Sequence, residues 1–143
     1  MNTCTFFGHR DAPGTISKAL RDAVIELIRQ NGVVRFLVGN EGSFDRIVQL
    51  ELHRLQAEFP EISFFVVLSS LPSGRSRPGL DPRFESIYPE EVARTIPRFR
   101  IDRRNRWMIQ QSDVVITYFR KIASNTQKYQ DLALRQNKTV IAL

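Results

Sequence analysis

Five short apolar or β-prone runs recur along the chain: TCTFF at 3–7, VRFLV at 34–38, ISFFVVL at 62–68, DVVITYF at 113–119 and TVIAL at 139–143. Each is separated from the next by a stretch long enough to hold a helix. This alternation is the strongest constraint on the fold, because parallel strands need crossovers of a dozen or more residues, usually helical. The runs are nearly continuous in apolar character, as strands buried on both faces are.

Between them, Ile16, Ala19, Leu20, Ala23, Val24, Leu27 and Ile28 repeat at three- and four-residue spacing, opening at Pro13-Gly14-Thr15 and stopping at Asn31-Gly32. A second helix carries Phe44, Ile47, Val48, Leu52, Leu55 and Phe59 on its inner stripe and ends at Pro60. Short helical turns are predicted near 89–95, and helices over about 99–112 and 126–137. The Pro/Gly/Ser/Arg stretch at 69–82 reads as a long surface loop. The expectation is one domain over 1–143: a Rossmann-like three-layer α/β fold with a five-stranded, mostly parallel sheet in the order 3-2-1-4-5.

Lys and Arg number 21 and Asp and Glu 15, so the net charge of 21 − 15 = +6 favours an anionic partner, nucleotide or nucleic acid. Six arginines, Arg94, Arg98, Arg100, Arg103, Arg104 and Arg106, fall within thirteen positions, most of them reading as a solvated helix face. The aromatics are scattered and form no evident stacking platform. The one cysteine, Cys4, lies inside the first apolar run, which excludes a disulfide framework and suits a reducing cytoplasm. No segment approaches the roughly 18 apolar residues of a membrane span. His9 and His53 are far apart, and no cluster has metal-ligand spacing.

Ligands of such sheets bind at the carboxyl ends of the strands, beside the point where strand order reverses. Gly8-His9-Arg10-Asp11, Gly39-Asn40-Glu41-Gly42-Ser43 and the stretch from Tyr118 to Thr126 end strands one, two and four at that edge. Gly39 and Gly42 followed by Ser43 would let backbone N–H groups approach an anion at a helix start, or Ser43 would simply cap that helix. Arg10 suits bidentate pairing with a phosphate, or a salt bridge with Asp11. His9 serves either as a ligand contact or as a structural hydrogen-bonding residue. Asp45 has an ordinary role against the helix dipole. Asn105 is a polar group in the apolar stripe of Ile101, Met108 and Ile109, and needs a partner. Trp107 lies on another face, where packing or a homo-oligomer contact would fall.

The motifs CTFFGHRD (4–11, read with Thr3 before it), VGNEGSFD (38–45), IYPEEV (87–92) and DRRNRWMIQQSDVVITYF (102–119) together resemble the YpsA-like branch of the SLOG superfamily, which also includes the DprA/Smf and LOG-type proteins. The resemblance covers nearly the whole chain. It implies a Rossmann-like fold holding a nucleotide or an ADP-ribose-like derivative, with magnesium only through the ligand's phosphates. By position it implies ligand contacts from Gly8, His9 and Arg10, from Gly39, Gly42, Ser43 and Asp45, and from Arg104, Asn105 and Arg106; Asn40, in the second turn, is a further candidate contact.

The chain departs from the resemblance after strand four, where Lys121-Ile122-Ala123-Ser124-Asn125-Thr126 replaces a glycine pair. Ser124, Asn125 and Thr126 then offer hydroxyl and amide contacts or a helix cap. The Glu that serves N-glycosidic cleavage in LOG-type hydrolases falls on Tyr129, which has no carboxylate, leaving Glu41, Asp45 and Asp11 as acids. Three functions follow in order: nucleotide binding or sensing, phosphoribohydrolysis of a nucleoside monophosphate, and single-stranded nucleic-acid binding.

Overall fold

In a computed structural model of the chain, residues 2–71, 80–120 and 124–143 are described. The central strand β1 (Thr3–Gly8) sits between β2 (Arg35–Val38) and β5 (Val114–Tyr118), pairing parallel to both: Cys4 is opposite Phe36 on one side and Val114 on the other. Beyond β2 lie β3 (Ser63–Val67) and the two-residue β4 (Ser86–Ile87); beyond β5 lies β6 (Thr139–Ala142). The sheet therefore has six strands in the order β4-β3-β2-β1-β5-β6, every pairing parallel.

The five expected strands keep their expected order, and the correction is the added edge strand. Ser86 and Ile87 are too short a run for any periodicity to mark; they become a strand only by pairing with Val66 and Val67. Of the long 69–82 loop, residues 72–79 lie outside the described residues, as do Lys121, Ile122 and Ala123.

Side-chain alternation along the strands distributes the core over two faces. Cys4, Phe6, Phe36, Val38, Phe64, Val66 and Ile116 pack with α1 (Ser17–Asn31) and α2 (Gly42–Glu58) through Leu20, Val24, Phe44, Val48, Leu52 and Leu55. Phe7, Leu37, Val67 and Val115 turn to the other face, against Met108 and Ile109 of α4 (Arg100–Gln111) and Tyr129, Leu132 and Ala133 of α5 (Asn125–Arg135). This is the three-layer arrangement that the apolar runs require. A short α3 (Glu90–Ala93) and a 3₁₀ turn (Pro97–Phe99) lead from β4 into α4.

Helix α1 stops at Gly32, whose φ of 67° lets its N–H reach back to the Leu27 carbonyl. At the start of α2, the cap position falls on Glu41, not on Ser43 as one reading of the sequence had it. Trp107 is half-buried, packing against the α4/α5 side of the core. Among the described residues no helix is long and apolar enough to cross a membrane.

Candidate functional site

Strand order reverses at β1: the chain moves outward through β2, β3 and β4 and returns to β5 on the other side. Two connections leave from this point on opposite faces, which opens a crevice at the carboxyl end of β1. A cavity of about 250 Å³ lies there. Its walls are Phe6, Phe7, Gly8, His9 and Arg10 from β1 and the turn after it, Glu41 and Asp45 from the start of α2, Ile101, Arg104, Asn105 and Met108 from α4, and Asn125, Thr126 and Tyr129 from α5.

Arg104 is the buried centre of this site, with 2% of its surface exposed. Its Nε donates to Asn105 Oδ1 at 3.0 Å and its Nη1 to the Val67 carbonyl at 3.4 Å, while Nη1 stands 3.7 Å from Glu41 Oε1. Glu41 also meets Arg10 Nη2 at 3.6 Å, at the open side of the cavity where the Arg10 side chain is 73% exposed. Arg10 therefore pairs with Glu41, not with Asp11. Burial pulls the Arg104 guanidinium below its ordinary value, with Asp45 and Glu41 opposing; an arginine remains cationic at neutral pH all the same.

Asp45 is buried beside it, its Oδ2 accepting the Glu41 N–H at 2.8 Å. Burial pushes its carboxyl up to about 6, against the lowering effects of that hydrogen bond and of Arg104. Gly39 exists for this pair: a methyl group there would stand 2.9 Å from Asp45 Oδ2 and 3.3 Å from Arg104 Cζ. The unfolded value being 3.8, folding takes up a proton between about pH 4 and 6, so stability falls as pH rises through that window and the loss is complete above it. The gap corresponds to roughly 3 kcal/mol at most. The Asp45 carboxyl carbon should titrate by NMR with a midpoint near 6, and Asp45→Asn should flatten that part of the stability curve; a midpoint below about 4.5 would refute the desolvated carboxylate.

On the α5 side, the Tyr129 hydroxyl donates to Asp102 Oδ1 at 2.7 Å. Burial pushes that hydroxyl up to about 12, and Asp102 adds to the effect. Burial raises Asp102 in turn, but hydrogen bonds from Tyr129, Arg106 and Lys128 outweigh it and hold its carboxyl below the ordinary range. Arg106 is thus engaged by Asp102, its Nε donating at 2.9 Å. Tyr129 also stacks on Phe7, the ring centroids 5.2 Å apart.

Of the residues expected at the site, Gly8, His9, Arg10, Asp45, Arg104, Asn105 and Thr126 line the cavity, while Gly39, Asn40, Gly42, Ser43 and Ser124 do not. The amides expected to face an anion are met by the protein's own oxygens: Ser43 N–H donates to the Arg10 carbonyl at 2.7 Å, and Glu41 N–H goes to Asp45. The Ser43 hydroxyl donates to the Ala12 carbonyl at 2.7 Å, so the start of α2 clamps the turn after β1. Gly42 has φ +86°, and a methyl group there would stand 2.7 Å from Arg10 Cα. The Asn40 side chain accepts from Gln49 Nε2 at 3.3 Å, and Ser124 caps α5 by accepting the Gln127 N–H at 3.2 Å. His9 is a tie as well as a wall, its Nε2 accepting the Arg120 N–H at 2.8 Å.

The sequence marks Glu41 only as one of three candidate acids, with Asp45 and Asp11, and not as a wall of the cavity. Its place between Gly39 and Gly42, in the turn that ends β2, was the available signal. Phe6, Phe7, Ile101 and Met108 were read only as strand or stripe residues. Among the described residues no group of His, Cys, Asp and Glu is arranged to hold a metal ion.

No protein-family model and no curated protein sequence matches the chain. Solved structures do. The X-ray structure of DNA processing protein A (DprA) from Streptococcus pneumoniae matches with a TM-score of 0.69 and 16% identity, covering 99% of this chain and 50% of that one. DNA processing protein A from Helicobacter pylori, whose structure concerns its single-stranded DNA binding mode, matches with a TM-score of 0.58 and 19% identity, covering 99% of this chain and 64% of that one. The chain therefore spans between half and two-thirds of the length of these proteins. At such identities the likeness is one of fold, and the chain carries the Rossmann-like fold found in these two DNA processing protein A structures.

Proposed function

We propose that the cavity at the carboxyl end of β1 binds a nucleotide or nucleotide derivative, and that the chain belongs to the SLOG superfamily in its YpsA-like branch. The observation that carries the reading is the composition of one crevice: apolar walls from Phe6, Phe7, Ile101 and Met108, hydrogen-bonding groups from Asn105, Asn125 and Thr126, and an exposed arginine, Arg10, at the mouth. Drug-sized ligands occupy pockets of roughly 300–1,000 Å³. At about 250 Å³ the cavity takes one nucleoside-sized group and leaves phosphate at the Arg10 and His9 rim. The fold match to DNA processing protein A supports the superfamily, since the sequence motifs point to the same one.

Binding, not cleavage, is the reading. The position that the hydrolase resemblance assigns to a carboxylate is Tyr129, whose hydroxyl is already engaged by Asp102. Thermal shift with AMP, ADP, NAD, ADP-ribose, cyclic nucleotides and their guanine counterparts tests it directly. A ligand at about 100 times its dissociation constant adds roughly 2.7 kcal/mol of apparent stability. Arg10→Ala should weaken a nucleoside monophosphate roughly 10- to 100-fold, the worth of a charged hydrogen bond, while leaving the free nucleoside unchanged. Equal binding of the monophosphate by both proteins would remove the phosphate from Arg10.

A second reading, single-stranded nucleic-acid binding in a cytoplasmic protein, is favoured by the Helicobacter pylori neighbour and by the net charge of +6. It requires affinity that falls steeply with salt as phosphate counterions are released. A strand bound with a flat salt dependence, or not bound at all, excludes it.

A further inference from the structure

Beside the cavity lies a surface that a mononucleotide does not use. Ile96, Phe99 and Ile101 are 59%, 51% and 43% exposed, three large apolar side chains within six positions. The Phe99 N–H donates to the Ile96 carbonyl at 2.9 Å, closing the 3₁₀ turn (Pro97–Phe99) that Ile96 leads into and holding the two residues close together. Ile96 and Phe99 thus form one patch. Ile101 extends it to the cavity, whose wall it also supplies. The turn is held in place from below: Arg100 Nε donates to the Thr95 carbonyl at 2.8 Å and its Nη2 to the Ala93 carbonyl at 3.2 Å.

The charge within this stretch is of one sign, the flanking acids Glu90 and Asp102 being paired with arginines. Residues 94–101 read RTIPRFRI, without a carboxylate. Arg94 is paired with Glu90 and Arg106 with Asp102, but among the described residues Arg98 and Arg103 have no carboxylate partner. Arg98 instead lies over the Phe99 ring, 4.9 Å from its centroid. A half-exposed ring with a guanidinium that has no carboxylate partner laid against one face is complementary to a base and its phosphate, as in stacking sites for single strands. An acidic apolar peptide would match the charge but has no use for the continuity with the cavity.

We infer that Phe99 and Ile96 form a stacking subsite for the base of a second nucleotide, joined by its phosphate to the one in the cavity, with Arg98 and Arg103 meeting the linking phosphate. The inference rests on the nucleotide reading of the cavity and names its ligand as one with two bases. A soluble dinucleotide and a nucleic-acid strand share that chemistry. The scattered aromatics of the sequence hid this platform because Phe99 reaches solvent only through the geometry of the turn.

Calorimetry with AMP and dTMP, the dinucleoside phosphates ApA and TpT, and 12-residue oligo(dA) and oligo(dT) tests it on the whole chain, with Phe99→Ala and Phe99→Trp. Loss of the stacking face should weaken the two-base ligands roughly 5- to 150-fold. Mononucleotide affinity should stay within about 2-fold, and Phe99→Trp should restore the rest. An effect already present with ApA or TpT assigns the subsite to a dinucleotide; an effect confined to the 12-mers assigns it to a strand. Mononucleotide binding with no selective loss on the two-base ligands overturns the subsite alone. Failure of every probe to bind the unmodified protein overturns the cavity reading and the subsite with it. Phe99 is half-exposed, so unchanged melting of the variants separates these outcomes from misfolding.

Discussion

Arg104→Met is expected to lower the unfolding free energy by about 3–5 kcal/mol at pH 7, the cost of removing one partner from a buried charge cluster. The guanidinium is 2% exposed and lies within 3.7 Å of Glu41 Oε1, and its removal also frees the Asn105 side-chain oxygen and the Val67 carbonyl from their Arg104 bonds. Asp45 suffers most. Its carboxyl stands at about 6 even with Arg104 beside it, and without that cation burial acts with less opposition. Asp45 then spends neutral pH as a desolvated anion or takes up a proton, and either way folding is weakened.

Two measurements check the cause. Denaturant unfolding at pH 5 should show a smaller loss than at pH 7, because the acid neutralises the group that Arg104 was balancing. Asp45→Asn placed in the Arg104→Met background should recover part of the loss, as coupled neighbours do in a double-mutant cycle. A loss below about 1 kcal/mol that is the same at both pH values would mean that Arg104 contributes packing and no charge balance.

Gly8→Ala should be nearly as damaging, at about 3 kcal/mol, near the upper end for overpacking a tight core. The added methyl would stand 2.2 Å from Phe44 Cγ and 2.5 Å from both Cδ atoms. Neither side has room to yield. Phe44 is fully buried and stacked on Tyr118 with centroids 6.3 Å apart, while Gly8 is paired with Tyr118 in the ladder of the central strand. Since His9 and Arg10 follow directly, any shift of the strand end carries the cavity rim with it. Phe44→Leu in the same chain should restore much of the stability by opening space above the strand. Melting unchanged by Gly8→Ala would show that the ring moves aside freely.

Gly8 also shows how far the chain could be read in one dimension. The sequence marks it as the end of strand one beside the switch point, whereas the structure needs it small because an aromatic ring from α2 lies against its backbone. The same holds at VGNEGSFD. Its glycines and serine suggest amides open to an anion, but the Ser43 and Glu41 amides are taken by the Arg10 carbonyl and by Asp45, and the motif lends the cavity wall the acids Glu41 and Asp45. Arg104 belongs to an arginine cluster that reads mainly as a solvated face, yet it is the most deeply buried cation of the site.

The order of five of the six strands, the layers and the end of the sheet where the cavity lies were legible because hydrophobic spacing marks each element locally and right-handed crossovers restrict how parallel strands are arranged. TCTFF and DVVITYF are apolar or β-prone runs, and their strands became buried neighbours in the ladder. The existence of β4, the clamp of α2 on the turn after β1, the Arg104–Asp45–Glu41 cluster and the exposed Phe99 shelf were not legible. Each depends on which residues from distant segments meet and on how much space they leave, and hydrogen bonds, charge balance and ring contacts are settled only there.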